Sequence, residues 1–380
     1  MTPIHHERIN HPCAWLGSDF RSKDDLAFDL TRKHAAALED LLVRLKDVPM
    51  EQIVLTQCVH PALDQDLACI LDELVDGRGL VLVRGFPVQD HSIEEIEKMY
   101  WVFTRHLGPH LSQNSFGLKM VRVQQELLPG GVQPARGTKS ANELAMHCDS
   151  GDIFALLYVQ QADQGGESQF SSGPAAHNAI LESRPDLLPV LYRGFPYHRR
   201  SEQPPHQARI TPYKVPVFAN VNGRISINFT YSSILPAMHE LGRAFSQEES
   251  EALDTLRQAL VEQQLELRAA TGEMSIANNF AMCHSRSSYV DGPDPKRRRL
   301  VLRCAPELPP WRKRLPLHLG PEFFQRENEA GRVGDDLVPG RDGRIARNDY
   351  DAVPEELANL FKEAQRKPKP RNLSKAASLS

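Results

Sequence analysis

Ala145-Met146-His147-Cys148-Asp149 closes one short extended segment, and Ile153-Phe154-Ala155-Leu156-Leu157-Tyr158-Val159 opens the next. Side chains alternate across a strand, so His147 and Asp149 project to one face and Cys148 to the other. One imidazole and one carboxylate on a shared face, completed by a distant His284, make the two-His-one-carboxylate donor set. That set leaves coordination positions open on non-haem Fe(II). Zn(II) accepts the same donors, so a zinc hydrolase or lyase stays open at this point. His-x-Asp alone carries little weight, because chance supplies about one in 380 residues with 15 His. Its surroundings decide.

Composition is that of an ordinary globular chain, 41% apolar and 25% charged with a formal net charge of −4. Nothing in that balance calls for nucleic acid or a membrane surface, so a small-molecule partner is expected, and a homo-oligomer is left open. Met1 to Ser22 lacks the apolar run of a signal peptide, and no 18-residue apolar stretch occurs. Cys13, Cys58, Cys69, Cys148, Cys283 and Cys304 are scattered without a Cys-x-x-Cys pair. This favours reduced thiols in a cytoplasmic protein, with Cys148 and Cys283 packed as small apolar residues away from a metal.

Periodicity predicts helices over 24–47, 62–76, 93–107, 174–183 and 247–269. Ser92 with Glu95, and Ser246 with Glu249, read as capping boxes. Short apolar runs broken by Gly, Pro, Asn and Ser predict strands at Leu80–Val83, 118–123, 153–159, 215–219, 224–229, 274–282 and 299–304. Helices at the front, many short strands and one long helical interruption predict an α+β fold with a mainly β core. The expected architecture is a jelly-roll barrel buttressed by helices. Residues 1–305 are expected to form one domain, with N-terminal helices over 24–107, a core over about 117–305 and an insertion over about 185–270. Residues 306–364 read as a C-terminal extension, and the basic, Ser-rich 365–380 as a frayed tail.

Three further features surround the opening motif. Gly165-Gly166-Glu167-Ser168 permits a tight turn and ends on a hydroxyl able to donate to a carboxylate. Asn278-Asn279-Phe280-Ala281-Met282-Cys283-His284 sets His284 at the end of another short strand. Arg299, Val301 and Arg303 share one strand face, with Leu300, Leu302 and Cys304 on the other. A charged face on a core strand is expected only where it lines a polar cavity, and Arg carries a donor fork that fits a carboxylate. Arg298 falls with the apolar face but remains an alternative to Arg299, because a strand start read from sequence is uncertain by a residue.

Together these pieces resemble the TauD/TfdA (taurine dioxygenase-like) family of Fe(II)/2-oxoglutarate-dependent oxygenases. The matching parts are His-x-Asp, Gly-Gly-Glu-Ser-Gln-Phe-Ser-Ser, Asn-Asn-x-x-x-x-His and Arg-x-x-x-Arg, in that order, with Arg84-Gly85-Phe86-Pro87 and Leu107-Gly108 ahead of them. The resemblance spans roughly residues 70–305. It implies a double-stranded β-helix in which His147, Asp149 and His284 ligate Fe(II). It further implies that Arg299 and Ser168 hold the distal carboxylate of the cosubstrate 2-oxoglutarate, although the family more often has Thr at the Ser168 position. Arg303 would help hold the cosubstrate or an acidic group of the substrate. The implied reaction uses O2, releases succinate and CO2, and hydroxylates an aliphatic carbon. Desaturation or ring closure is open to the same chemistry, and Asp149 argues against halogenation, for which family relatives carry Gly or Ala there. Asn114, His110 and Tyr231 stand where relatives often contact substrate. Arg193, His198, Arg199, Arg200 and His206 suggest an acidic or amino-acid-like small molecule, or another specialised metabolite. A non-catalytic binding barrel is the remaining alternative; it has no need of three metal ligands.

Overall fold

The computed structural model describes residues 3–111, 113, 118–126, 137–149, 151–200, 208–221, 223–294, 297–308, 355–366 and 368. The chain begins with β1 (Ala27–Asp29), α1 (Arg32–Arg44), α2 (Leu55–Cys58), α3 (Pro61–Val75), β2 (Leu80–Arg84) and α4 (Ile93–Arg105). The strands β3 (Met120–Val123), β4 (Leu144–His147), β5 (Ile153–Gln160), β6 (Gln164–Gly165) and β7 (Ser168–Ser172) follow. Next come α5 (Gly173–Ser183), α6 (Leu188–Arg193), the hairpin β8 (Phe218–Val221) and β9 (Arg224–Ile227), α7 (Tyr231–Glu240) and α8 (Gln247–Glu262). The last elements are β10 (Leu265–Leu267), β11 (Met274–Asn278), β12 (Met282–Arg286), β13 (Tyr289–Val290), β14 (Leu300–Cys304) and α9 (Glu355–Ala364).

Two sheets face each other. One has the order β1-β2-β11-β5-β14-β3, antiparallel except for the β1–β2 pair, and the other is antiparallel with the order β10-β7-β12-β4. Strand alternation sorts the side chains into three layers. Leu82, Phe154, Tyr158 and Val301 point between the sheets, where they meet Phe170 and Met282 of the smaller sheet. Phe154 and Phe170 stack across the gap at 6.2 Å. Val83, Ala155, Leu157, Ile276, Leu302 and Cys304 point outward into the helices α1, α3 and α4. On the far side Met146, Cys148 and Cys283 pack beneath α5, α6 and α8. A sheet covered on both faces has strands that are apolar throughout, which explains the unbroken run at 153–159.

Both expected capping boxes form: Ser92 Oγ accepts from the Glu95 amide at 3.3 Å and Ser246 Oγ from the Glu249 amide at 3.1 Å. Two helices are shorter than periodicity predicts. In place of a helix from 24, Lys23–Leu26 forms a 3-10 turn and Ala27–Asp29 a strand beside Leu82–Arg84, so the helix starts only at Arg32. The helix from 247 stops at Glu262, because Leu265–Leu267 pairs with Ser168–Phe170 and extends the smaller sheet. In each case a distant strand offers hydrogen bonds that outweigh local helical preference.

Candidate metal centre and anion pocket

The end of β4 and the middle of β12 lie side by side, with His147 registered opposite His284. Their rings sit 4.3 Å apart, and Asp149 reaches across to both: Oδ1 is 3.7 Å from His147 Nε2 and Oδ2 is 3.7 Å from His284 Nε2. One donor atom from each of the three lies within 4.8 Å of the others, so a single ion could be held among them. His147 Nδ1 donates to the Ala145 carbonyl at 2.8 Å, which leaves Nε2 with its lone pair toward the site. His284 Nδ1 has no hydrogen-bond partner and its ring lies 4.2 Å from that of Phe154. Asn279 fixes the backbone beneath the carboxylate: its Oδ1 accepts from the Asp149 amide at 3.0 Å and its Nδ2 donates to the Asp149 and Gly151 carbonyls. The second Asn of the Asn-Asn pair thus holds the His-x-Asp loop. The first, Asn278, ties β11 to the Leu74 carbonyl of α3.

Burial lowers the pKa of both imidazoles, and for His284, which also feels His147, the value falls to about 3. His177, enclosed near Tyr192, drops to about 4 for the same first reason. An unfolded His takes its proton near 6.5, so between that pH and these values the unfolded chain binds more protons than the folded one. Stability therefore rises with pH across this window and is lost on acidification. With metal chelated, the urea midpoint should fall as the pH drops from about 6.5 to about 4.5, and less steeply in His177→Phe. A midpoint flat over that range would contradict the burial of these rings.

Arg303 lies on the inward face of β14, as its spacing predicts, and meets the metal-capable carboxylate: Nη1 donates to Asp149 Oδ2 at 2.9 Å and Nε to Gln113 Oε1 at 2.7 Å. Gln113 in turn donates to the carbonyls of Lys119 and Arg303. Four residues earlier Arg299 is 2% exposed, while Arg298 is exposed, so the phase of the strand places Arg299 inside. Its Nε and Nη1 have no hydrogen-bond partner, and its guanidinium lies 5.0 Å from the Tyr289 ring centre. The Gly165-Gly166 turn makes room for it. Both residues have positive φ, and a Cβ on Gly166 would come within 3.0 Å of Arg299 Nε. Ser168 Oγ is buried and bonded to Tyr158 Oη at 2.7 Å, and Tyr158 Oη lies 3.2 Å from Ser275 Oγ.

A buried guanidinium with unpartnered N–H groups is costly unless an anion completes it. The Arg299 guanidinium thus suits a carboxylate, and the triad suits a divalent metal. Arg286 adds a second buried guanidinium on the same Tyr289 ring, at 4.9 Å, where Nη2 donates to the carbonyls of Ser140 and Asn142. Sequence reasoning passed over Arg286, yet the signal was present, since it stands two residues beyond His284 on the inward face. Gln113 carried no such signal.

Other sequence candidates fall elsewhere. His110 is buried against Trp101 and bonded to Thr104, which fits a structural role. Tyr231 lies under the Arg257 guanidinium, and His198 meets Glu240 at 3.1 Å. Arg193 reaches Glu248 at 3.6 Å and Arg199 the Ala208 carbonyl at 2.9 Å. Asn114 and His206 lie outside the described residues. Cys148 and Cys283 are buried away from the donor atoms, with sulfurs 3.5 Å apart.

Residues 56–305 match the family described as taurine catabolism dioxygenase TauD, TfdA family. The chain belongs to this family and is an iron- and 2-oxoglutarate-dependent oxygenase. It is 28% identical over 256 residues to FR-33289 synthase of Streptomyces rubellomurinus, covering 66% of this chain and 71% of that protein. It is 23% identical over 313 residues to taurine hydroxylase-like protein SAT17 of Stachybotrys chartarum, covering 78% and 79%. Among solved structures, asparagine oxygenase in complex with Fe(II), 2S,3S-3-hydroxyasparagine and succinate has a TM-score of 0.56 at 14% identity, covering 74% of this chain and 93% of that one. The non-heme iron oxygenase OrfP in complex with Fe and alpha-ketoglutaric acid has a TM-score of 0.54 at 14% identity, covering 76% and 96%. At such identity these two show a shared fold. Among the described residues no helix is long and apolar enough to cross a membrane.

Proposed function

We propose that this oxygenase hydroxylates an aliphatic carbon of a small acidic or amino-acid-like molecule, with His147, Asp149 and His284 as the iron ligands. Arg299 and Ser168 then anchor the distal carboxylate of 2-oxoglutarate. The two facing sheets are the halves of a double-stranded β-helix in this reading. The observation that carries it is the Arg299 guanidinium, enclosed between the same sheets as the triad with Nε and Nη1 unpartnered. A zinc hydrolase or lyase would have no use for that charge. Bound iron with 2-oxoglutarate supplies the oxidising power, and O2 is consumed as succinate and CO2 are released. The chain's own part is geometry. Asp149 is held by Asn279 and Arg303, His147 presents Nε2, and Phe154 and Phe170 keep the interior dry. The amino-acid products in related solved structures support an amino-acid-like substrate.

Anaerobic addition of Fe(II) and then 2-oxoglutarate should produce the weak visible charge-transfer band of the chelate. Folded protein that binds Fe(II) without developing the band would overturn the proposal. Substrate-triggered succinate release, scanned over amino acids, their derivatives and other acids, then selects the substrate. Product mass separates hydroxylation from desaturation or ring closure.

A further inference from the structure

Helix α9 lies beyond the region matched by the family, and residues 309–354 precede it. Its Leu357, Phe361 and Ala364 are buried at helical spacing, and it packs on α7. The helix ends at the metal centre. Gln365 Oε1 accepts from the Ala145 amide at 2.7 Å, and the Ala145 carbonyl is the acceptor for His147 Nδ1 at 2.8 Å. One residue on, the Arg366 carbonyl accepts from Arg257 at 2.5 Å. Phe361 grips the same corner from another side: the Arg200 guanidinium lies over its ring at 4.9 Å and donates to the Ser232 carbonyl at 3.1 Å. Two residues before Ser232, Thr230 bridges to His147 and its hydroxyl donates to the Cys148 carbonyl at 3.0 Å.

β4 is the end strand of its sheet, and past its end the Cys148 amide donates to the Phe229 carbonyl at 2.7 Å, whereas the Ala145 amide takes a side chain, Gln365, as its acceptor. Left without an acceptor, the Ala145 amide would turn toward water, and because the amide and carbonyl of one residue flank the same Cα, the loosened φ and ψ there would let the Ala145 carbonyl shift as well. That carbonyl sets the tautomer and tilt of His147. Groups that orient a ligand imidazole are worth about 10- to 100-fold in metal affinity, and Gln365 stands one bond further out. We infer that the C-terminal helix is a positioning element of the metal centre, in which Gln365 orients His147 through Ala145. The inference rests on the reading of His147 as a ligand.

The test uses the full chain and two near-isosteric variants, Gln365→Leu, which lacks the acceptor, and Gln365→Glu, which keeps one. Each is titrated anaerobically with Fe(II), and separately with Co(II), whose visible bands report coordination geometry. Gln365→Leu should weaken both metals about threefold to tenfold and alter the Co(II) spectrum, with faster hydrogen exchange at the Ala145 amide and little change in Tm. Gln365→Glu should stay within about twofold of the parent, because its carboxylate accepts the same bond. Equal affinity in Gln365→Leu and the parent overturns the inference, as does equal weakening in both variants, which would mark loss of helix packing. Failure of the parent itself to bind Fe(II) would instead reject the ligand reading.

Discussion

Asp149→Ala should reduce succinate formation by at least about 1,000-fold and Fe(II) affinity by at least about 100-fold, a larger loss than the 10- to 100-fold typical of outer-sphere partners. The carboxylate serves two neighbours at once. Its oxygens lie 3.7 Å from each imidazole nitrogen, and Oδ2 accepts from Arg303 at 2.9 Å. Removing it takes a negative charge out of a site bordered by Arg303. Two imidazoles and a nearby guanidinium then face an incoming cation without compensation. Asp149→Asn separates charge from shape: it preserves the outline yet makes a neutral ligand, and should sit between Ala and the parent in affinity. Anaerobic Fe(II) titration and succinate release measure the two effects independently. Turnover surviving in Asp149→Ala would mean that the carboxylate ligand is another residue.

Arg299→Ala should raise the dissociation constant for 2-oxoglutarate by about 100-fold or more while leaving Fe(II) binding within about twofold. Truncating one partner of a buried charge pair costs about 2–5 kcal/mol, and each 1.4 kcal/mol is a factor of ten. Arg299→Lys retains the charge but not the fork, and should fall between. Arg298→Ala should do nothing measurable, because that side chain is exposed. A second consequence has the opposite sign. Without an anion, Arg299 is a buried cation with two unpartnered nitrogens, so Arg299→Met should leave the ligand-free protein as stable as the parent or more so. Chemical denaturation with and without 2-oxoglutarate measures both signs. An unchanged 2-oxoglutarate affinity in Arg299→Ala would remove the anchor role and redirect attention to Arg286, the other buried guanidinium on Tyr289.

Much of the candidate site was legible because its residues stand on strands, where a period of two fixes direction. His147 with Asp149, and Arg299 with Arg303, follow from parity alone once the strands are placed, and the family resemblance joins them to His284 and Ser168. Arg286 was open to the same rule and was missed. The partners that hold these groups were not legible. Gln113 is 190 residues from Arg303, Asn279 is 130 from Asp149, and Gln365 is 220 from Ala145. Such contacts leave no local pattern. The fold divides likewise, since capped helices with strong periodicity were readable, whereas Ala27–Asp29 and Leu265–Leu267 became strands by pairing with partners far along the chain.

By itself the sequence determined the β-rich core, the alternation that puts His147 with Asp149 and Arg299 with Arg303 on shared faces, and the chemistry those residue types can support. These are properties of neighbouring residues, set by backbone geometry and side-chain type. Only the tertiary structure decided which Arg is enclosed, that Arg303 meets Asp149, that Asn279 holds the loop beneath it, and that the C-terminal helix returns to the strand carrying His147. Those outcomes depend on which distant surfaces bury one another, and a short window of sequence holds no record of that.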